Sequence, residues 1–254
     1  MKVLAITQAR VGSSRLPGKV TKLIGNGSIL SVHLKRIQKA KLITGVKVAT
    51  TNEDGVQEII DICKSVGVQY HQGSLDDVLA RFYYTAEPES PDYVVRLTSD
   101  CPLIDPEVID SVIDVAITSD CDYVSNTLNP TFPDGIDVEV FKYSALVKAF
   151  NEAQLSSERE HVTPYIWKHS SEKGGNKFTS KSFEHDDDFS EVRLTVDTQE
   201  DFEVVSELVQ LGGTDKTWQE YVNLLIENPK IQQINEKYKR NEGYDKSIQS
   251  EVNS

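Results

Sequence analysis

Apolar positions along the chain fall into short runs of strand length that alternate with stretches of helical spacing. Val3-Leu4-Ala5-Ile6 predicts a first buried strand. Leu30, Leu34 and Ile37 then recur at helical spacing, with Lys35, Arg36 and Lys39 between them. The β-branched run 46–51 predicts a second strand, and Val56, Ile59, Ile60 and Cys63 share one face of a helix over 55–66 that Gly67 stops. A short strand at 68–71 leads through Gly73-Ser74 into a helix carrying Asp77, Leu79, Arg81 and Phe82. Pro88 and Pro91 break it, and 93–98 is the fourth strand, ending at Ser99-Asp100-Cys101-Pro102. Asp105-Pro106-Glu107 caps the next helix, with Val108, Val112 and Val115 on its buried face, and 121–125 is a further strand. Strand and helix in alternation predict an α/β fold with a mostly parallel sheet covered on both faces.

The texture changes near residue 126. Residues 126–136, rich in Asn, Pro, Asp and Gly, read as a loop over the sheet. Residues 137–192 mix a short strand, a helix over 142–155, a second helix interrupted at Pro164 and an alternating stretch over 177–184. This predicts an inserted α+β lobe at 126–192 within one domain spanning 1–254. Arg193 to Val196 is expected to return to the sheet, with helices near 199–211 and 217–227, and the polar tail from about Arg240 is expected to fray.

Chemistry concentrates first in residues 8–19, Gln-Ala-Arg-Val-Gly-Ser-Ser-Arg-Leu-Pro-Gly-Lys, directly after the first strand. Glycines, hydroxyls and three cations at a strand end offer backbone N–H groups and positive charge to an anion. Five residues separate Gly12 from Gly18, and Val20 follows Lys19, so this is not a Walker A loop; nor does it fit G-x-G-x-x-G. Arg10, Arg15 and Lys19 remain as cations able to follow a triphosphate. Asp100 and Asp197 sit at two further strand ends, where ligands of open α/β sheets bind. Two carboxylates facing a phosphate loop suit Mg²⁺.

The composition narrows the partners. With 27 basic and 40 acidic residues, the formal charge of −13 disfavours broad contact with nucleic acid or an anionic membrane. The odd set Cys63, Cys101 and Cys121 has no metal-ligand spacing and reads as reduced thiols. Met1-Lys2 passes straight into a strand without signal-peptide architecture, so the expectation is a cytoplasmic protein.

QARVGSSRLPGK, with LTSDCPLID at 97–105, FPDGIDVEVF at 132–141, EREHVTPYIW at 158–167 and LTVDTQED at 194–201, resembles the cytidylyltransferases that activate acidic sugars. These include the KDO and acylneuraminate cytidylyltransferases, and the likeness is greatest to the spore coat polysaccharide biosynthesis branch, SpsF. It covers about residues 1–210 and implies a Rossmann-like (GT-A-like) fold, a homodimer, and transfer of CMP from CTP to an acidic sugar. Ala9 and Arg10 are implied beside the cytosine. Gly12, Ser13, Ser14, Arg15 and Lys19 are implied at the phosphates, and Asp100 and Asp197 as Mg²⁺ ligands. Arg15, Lys19 and Asp100 are the expected catalytic residues. Arg81 is open between facing the nucleotide and a helix-surface salt bridge.

For the acceptor, Asp134, Asp137, Glu139, Arg159, His161 and Tyr165 are candidates, with Arg159 suited to grip a carboxylate bidentately. The run 158–161 reads equally as a solvated helix start or a dimer contact. EREHVTPYIW departs from the histidine-tyrosine motif of KDO enzymes, which leaves the acceptor open. His33, His71, His169 and His185 show no partner pattern. Two other readings stand: a sugar or polyol phosphate acceptor, served by Lys168, Lys173, Lys177 and Lys181, or a glycosyltransferase using Asp120-Cys121-Asp122.

Overall fold

Strand β1, Val3–Gln8, divides its side chains between two cores. In this computed structural model, which describes the chain except Ser14, Asn253 and Ser254, Val3 and Ala5 enter one apolar cluster while Leu4 and Ile6 enter the other. That period of two is what a strand covered on both faces requires.

A small hairpin of β2, Leu23–Ile24, and β3, Gly27–Ser28, precedes helix α1, Ile29–Ile37. There follow β4 (Gly45–Thr51), α2 (Gln57–Ser65), β5 (Gln69–Gly73), α3 (Val78–Ala86), β6 (Tyr93–Thr98) and α4 (Pro106–Ser119). Strands β5, β4, β1 and β6 lie side by side and parallel. The sheet continues through β8 (Glu139–Lys142), antiparallel to both β6 and β7 (Tyr123–Ser125), and ends in β9 (Ser180–Ser182), parallel to β7. Between β8 and β9 run α5 (Tyr143–Glu152), α6 (Ser156–His161) and α7 (Pro164–Lys168). After β9 come α8 (Gln199–Gly212), α9 (Trp218–Glu227), α10 (Pro229–Gln232) and α11 (Glu242–Val252). The expected α/β, Rossmann-like fold is therefore present, and part of the 126–192 stretch is built into the main sheet as β8 and β9.

One core packs α1, α2, α4, α8 and α9 through residues such as Leu34, Ile59, Val112, Leu208 and Tyr221; the other packs α3, α5 and α7 through Phe82, Leu146 and Ile166. Arg36 departs from the polar face its spacing predicts. It is buried, giving Nε to Ile104 O at 2.6 Å and an NH2 hydrogen to Lys216 O at 2.9 Å, and so ties α1 to the starts of α4 and α9.

Two expectations are corrected. Arg193 to Val196 forms no strand: an isolated bridge pairs Arg193 with Asp134, and the rest is extended chain. The tail forms α11, packed on α6, because Tyr244 and Glu251 find partners there. No helix among the described residues is long and apolar enough to cross a membrane.

Candidate active site

The loop after β1 is pinned to the sheet by its buried apolar residues, Leu16 and Val20. Gly18 turns it, at φ +64° in the left-handed region that glycine reaches without strain, and opens a single helical turn at 19–21. Lys19 is thereby aimed across the sheet end. Its ammonium donates to Asp100 Oδ2 at 3.0 Å and to Asp197 Oδ1 at 2.8 Å. The Arg15 guanidinium lies 3.2 Å from Asp197 Oδ1 and 3.6 Å from Glu242 Oε2.

The two aspartates converge because their chains are bonded to each other: Val196 N–H donates to Asp100 O at 2.8 Å. The 193–196 segment is held from the other side by Leu194 N–H on Asp134 O at 2.7 Å. That approach requires Gly135, which has φ +107°; a Cβ there would lie 2.5 Å from Thr195 N.

Arg193 then braces the centre, and sequence reasoning had assigned it no role. Its NH1 reaches Asp134 Oδ2 at 2.6 Å, its Nε reaches Asp201 Oδ1 at 2.8 Å, and NH2 contacts Asp197 Oδ2 at 3.4 Å. Fully buried Asp201 also accepts the Asp197 and Thr198 N–H groups, each at 3.0 Å. A carboxylate with this many donors holds the backbone of Asp197 in place.

His33, expected to have no partner, is corrected. It is fully buried, and burial pushes its pKa down to about 4. The neutral ring donates from Nδ1 to Cys101 O at 2.8 Å and accepts the Thr7 hydroxyl at Nε2, 3.0 Å away. The turn that carries Asp100 is thus fastened to α1.

Electrostatically the cleft is poised between signs. Burial opposes the charge on Lys19, yet Asp100 and Asp197 outweigh it and raise its pKa. Burial likewise opposes ionisation of Asp100, and Lys19 with the Thr98 hydroxyl overcomes it, so Asp100 stays ionised. Deeper in, burial and the neighbouring Asp137 push Asp134 up to about 7. Burial also raises Asp137, against the pull of Arg240, which ion-pairs with it. A further cation would be welcome at such a set of carboxylates.

These groups line a cleft of about 1010 Å³. Of the residues singled out from the sequence, Ala9, Arg10, Gly12, Ser13, Arg15, Lys19, Arg81, Asp100, Asp134, Asp137, Glu139, His161 and Asp197 line it. Ser14 lies outside the described residues. Among the described residues Arg81 makes no salt bridge: it is buried, donates NH1 to Ser74 O at 2.6 Å, and burial with Arg10 opposite pushes its pKa down to about 10.

Arg159 and Tyr165 are corrected, since neither lines the cleft. Arg159 spends its fork on Asp77 Oδ2, at 2.7 and 2.8 Å, and on Phe150 O; Tyr165 bonds Glu152 and Lys177. Across the cleft the wall is instead Glu139, which accepts the Tyr123 and Thr163 hydroxyls at 2.6 Å and pairs with Arg96. His161 sits beside it, its Nε2 3.0 Å from Ser247 Oγ.

Asp100 and Asp197 supply hard oxygen donors within 3.0 Å of one shared cationic nitrogen. Among the described residues no group of three or more His, Cys, Asp or Glu is placed to hold a metal alone. A metal here would need oxygens from a bound phosphate to complete its shell, as Mg²⁺ commonly does.

A Rossmann-like sheet with the cationic loop after β1, the Asp100 turn after β6 and the extended segment that carries Asp197 meeting in one cleft defines a nucleotide-handling α/β enzyme. Comparison with known proteins narrows that class. The cytidylyltransferase family profile matches residues 4–245, so this chain belongs to that family and is a CTP-dependent nucleotidyltransferase. It is 32% identical over 236 residues to the spore coat polysaccharide biosynthesis protein SpsF of Bacillus subtilis, covering 89% of this chain and 95% of that one. A 3-deoxy-manno-octulosonate cytidylyltransferase of Solibacter usitatus is 29% identical over 135 residues, 52% of each chain. A solved cytidylyltransferase from Leptospira borgpetersenii superposes with a TM-score of 0.86 at 34% identity, covering 92% of this chain and 97% of that one.

Proposed function

We propose that the enzyme transfers CMP from CTP, with Mg²⁺, to a hydroxyl of an acidic sugar of the nonulosonic or KDO-like kind and releases pyrophosphate, for surface polysaccharide or glycan synthesis. The observation that carries this reading is the bridging of Asp100 and Asp197 by Lys19, with Arg15 alongside, at the mouth of the loop after β1. The acceptor oxygen attacks the α-phosphorus, the bond to the β-phosphate breaks with its electron pair leaving on pyrophosphate, and the hydroxyl proton passes to water. Mg²⁺ held by Asp100, Asp197 and phosphate oxygens would neutralise charge growing on the phosphates. Lys19 and Arg15 bind the pyrophosphate end, while Arg193, Asp201 and His33 keep the two aspartates in register. Such a reaction needs positioning and charge stabilisation and little covalent chemistry from the protein. The same reading takes the enzyme as a cytoplasmic homodimer using the 126–192 region, which sedimentation of the purified chain tests.

A phosphorylated acceptor is disfavoured by where the cations lie. Of those four lysines only Lys173 lines the cleft, and it donates to Leu128 O at 3.0 Å; Lys177 pairs with Glu152, Lys168 lies over Trp167 and Tyr244, and Lys181 is exposed on β9, so the four do not converge on one phosphate. The glycosyltransferase alternative loses its motif: Asp120 pairs with Lys142 and Asp122 accepts the Thr179 N–H, both away from the cleft. Pyrophosphate release from CTP across a panel of KDO, nonulosonic acids and sugar phosphates tests the reading. Turnover confined to sugar phosphates would overturn it.

A further inference from the structure

Helix α11 touches both halves of the cleft. At its start Glu242 faces Arg15 of the phosphate loop, and just before it Arg240 holds Asp137 and donates to Phe132 O at 3.0 Å. Further along, the Tyr244 ring packs edge-on against His161, centroids 5.2 Å apart, and against Trp167 at 5.8 Å. Glu251 anchors the far end, accepting the Ser157 N–H at 2.5 Å and the Ser157 hydroxyl at 2.9 Å. Eleven helical residues thus run along the cleft from the nucleotide loop at Glu242 to α6 at Glu251.

Two polar groups on this wall are buried and unsatisfied. The Tyr244 hydroxyl and Arg96 Nε have no hydrogen-bond partner among the described residues, though both residues line the cleft. Leaving such groups without a partner is costly, which favours a ligand that supplies one. Arg96 gives one edge of its guanidinium to Glu139, and its charge is felt by His161, whose pKa burial and Arg96 lower against the pull of Glu160. NH1 of this planar fork is therefore committed to Glu139, while Arg96 as a whole lines the cleft.

We propose that α11 closes the acceptor subsite and selects the acceptor, with Arg96 pairing the carboxylate of the acidic sugar and the Tyr244 hydroxyl bonding a sugar oxygen. This rests on the proposed reaction and adds to it the residues that recognise its second substrate.

The test uses the full chain with Tyr244→Phe, which keeps the ring packing and removes one hydroxyl, and Arg96→Lys, which keeps a cation against Glu139. CTP binding is measured by calorimetry with Mg²⁺. Turnover is measured with KDO, N-acetylneuraminic acid and their methyl esters. The expected result is an acceptor KM raised about tenfold in each variant, equivalent to one lost hydrogen bond, with CTP affinity within about twofold of wild type. Wild type should reject the esters and Arg96→Lys should discriminate less. Unchanged acceptor KM in both variants, or CTP affinity falling in step with it, would overturn the proposal. A wild-type enzyme that binds CTP but uses neither acid sinks this inference and leaves the nucleotide half of the reading standing. One that does not bind CTP sinks the reading itself.

Discussion

The Lys19 ammonium lies 2.8 Å from the Asp197 carboxylate, although 178 residues separate them in the chain. Such a contact in an acidic protein has a specific consequence. The cation most able to meet a triphosphate is kept charged and aimed by the carboxylates that a metal would share, so phosphate and metal can replace it as a pair. In the empty site Lys19 and Arg15 balance Asp100 and Asp197, which limits the desolvation cost of holding these charges in a cleft.

Replacing Lys19 with Met removes the charge while keeping an unbranched side chain of similar length. Turnover should fall by about 10²–10³-fold, the range seen when one preorganised charge-stabilising group is lost. Steady-state pyrophosphate release with CTP checks this, alongside circular dichroism to confirm the fold. A variant within tenfold of wild type would remove Lys19 from the reaction.

Asp100→Asn retains the size and hydrogen-bonding capacity of the side chain and discards its charge. Turnover should drop below detection while the melting temperature stays near that of wild type, because Asp100 is on a strand-end loop and not in either apolar cluster. Asp197→Asn should behave alike and shift the Mg²⁺ dependence to higher concentration. Activity titrated against Mg²⁺ separates the outcomes; wild-type-like turnover of Asp100→Asn would end the metal assignment.

Gly135→Ala tests the joint between the 132–137 loop and the 193–196 segment. At φ +107°, with Leu194 C only 2.7 Å from a built Cβ, alanine is strained and collides with backbone that cannot swing away. The expected loss is about 2–4 kcal/mol of unfolding free energy, within the range for backbone-incompatible substitutions. Urea unfolding measures it, and an unchanged midpoint would contradict the packing. Activity should fall with stability, since this joint positions Asp197.

How much of this was legible beforehand follows from which interactions are local. The strand runs, the helix faces and the loop from Gln8 to Lys19 are local patterns, so the sheet, its flanking helices and the cationic strand end could all be read directly. Asp100 and Asp197 were readable as strand-end carboxylates, although the second follows chain that only resembles a strand: 193–196 has strand composition but is bonded through Asp134 and Asp100 and not through a ladder. Arg159 was misjudged because its charge is consumed by Asp77, 82 residues away, a pairing that spacing does not encode. The C-terminal helix was missed for a related reason. Its sequence is polar and weakly periodic, and its stability comes from Tyr244 against His161 and Glu251 against Ser157.

His33 gives the last prediction, because its role is visible only through burial. The folded ring has its pKa pushed down to about 4 by burial, with Arg36 adding to that and the Cys101 carbonyl and Asp100 opposing it, whereas an unfolded histidine titrates near 6.5. Between those values the unfolded chain binds a proton that the folded chain refuses, so stability must rise with pH across the window. The contribution is fully present above about pH 6.5 and is lost as pH falls towards 4, amounting to on the order of 3 kcal/mol. Asp134, pushed up to about 7, acts in the opposite direction, since its stabilisation fades as pH rises from the ordinary carboxylate range towards 7. That opposing effect is common to wild type and His33→Asn and cancels in their difference. Urea unfolding of both proteins from pH 4.5 to 7.5 should therefore show the stability gap between them widening with pH and levelling near neutrality. A gap independent of pH would mean that His33 is not held neutral between Thr7 and Cys101.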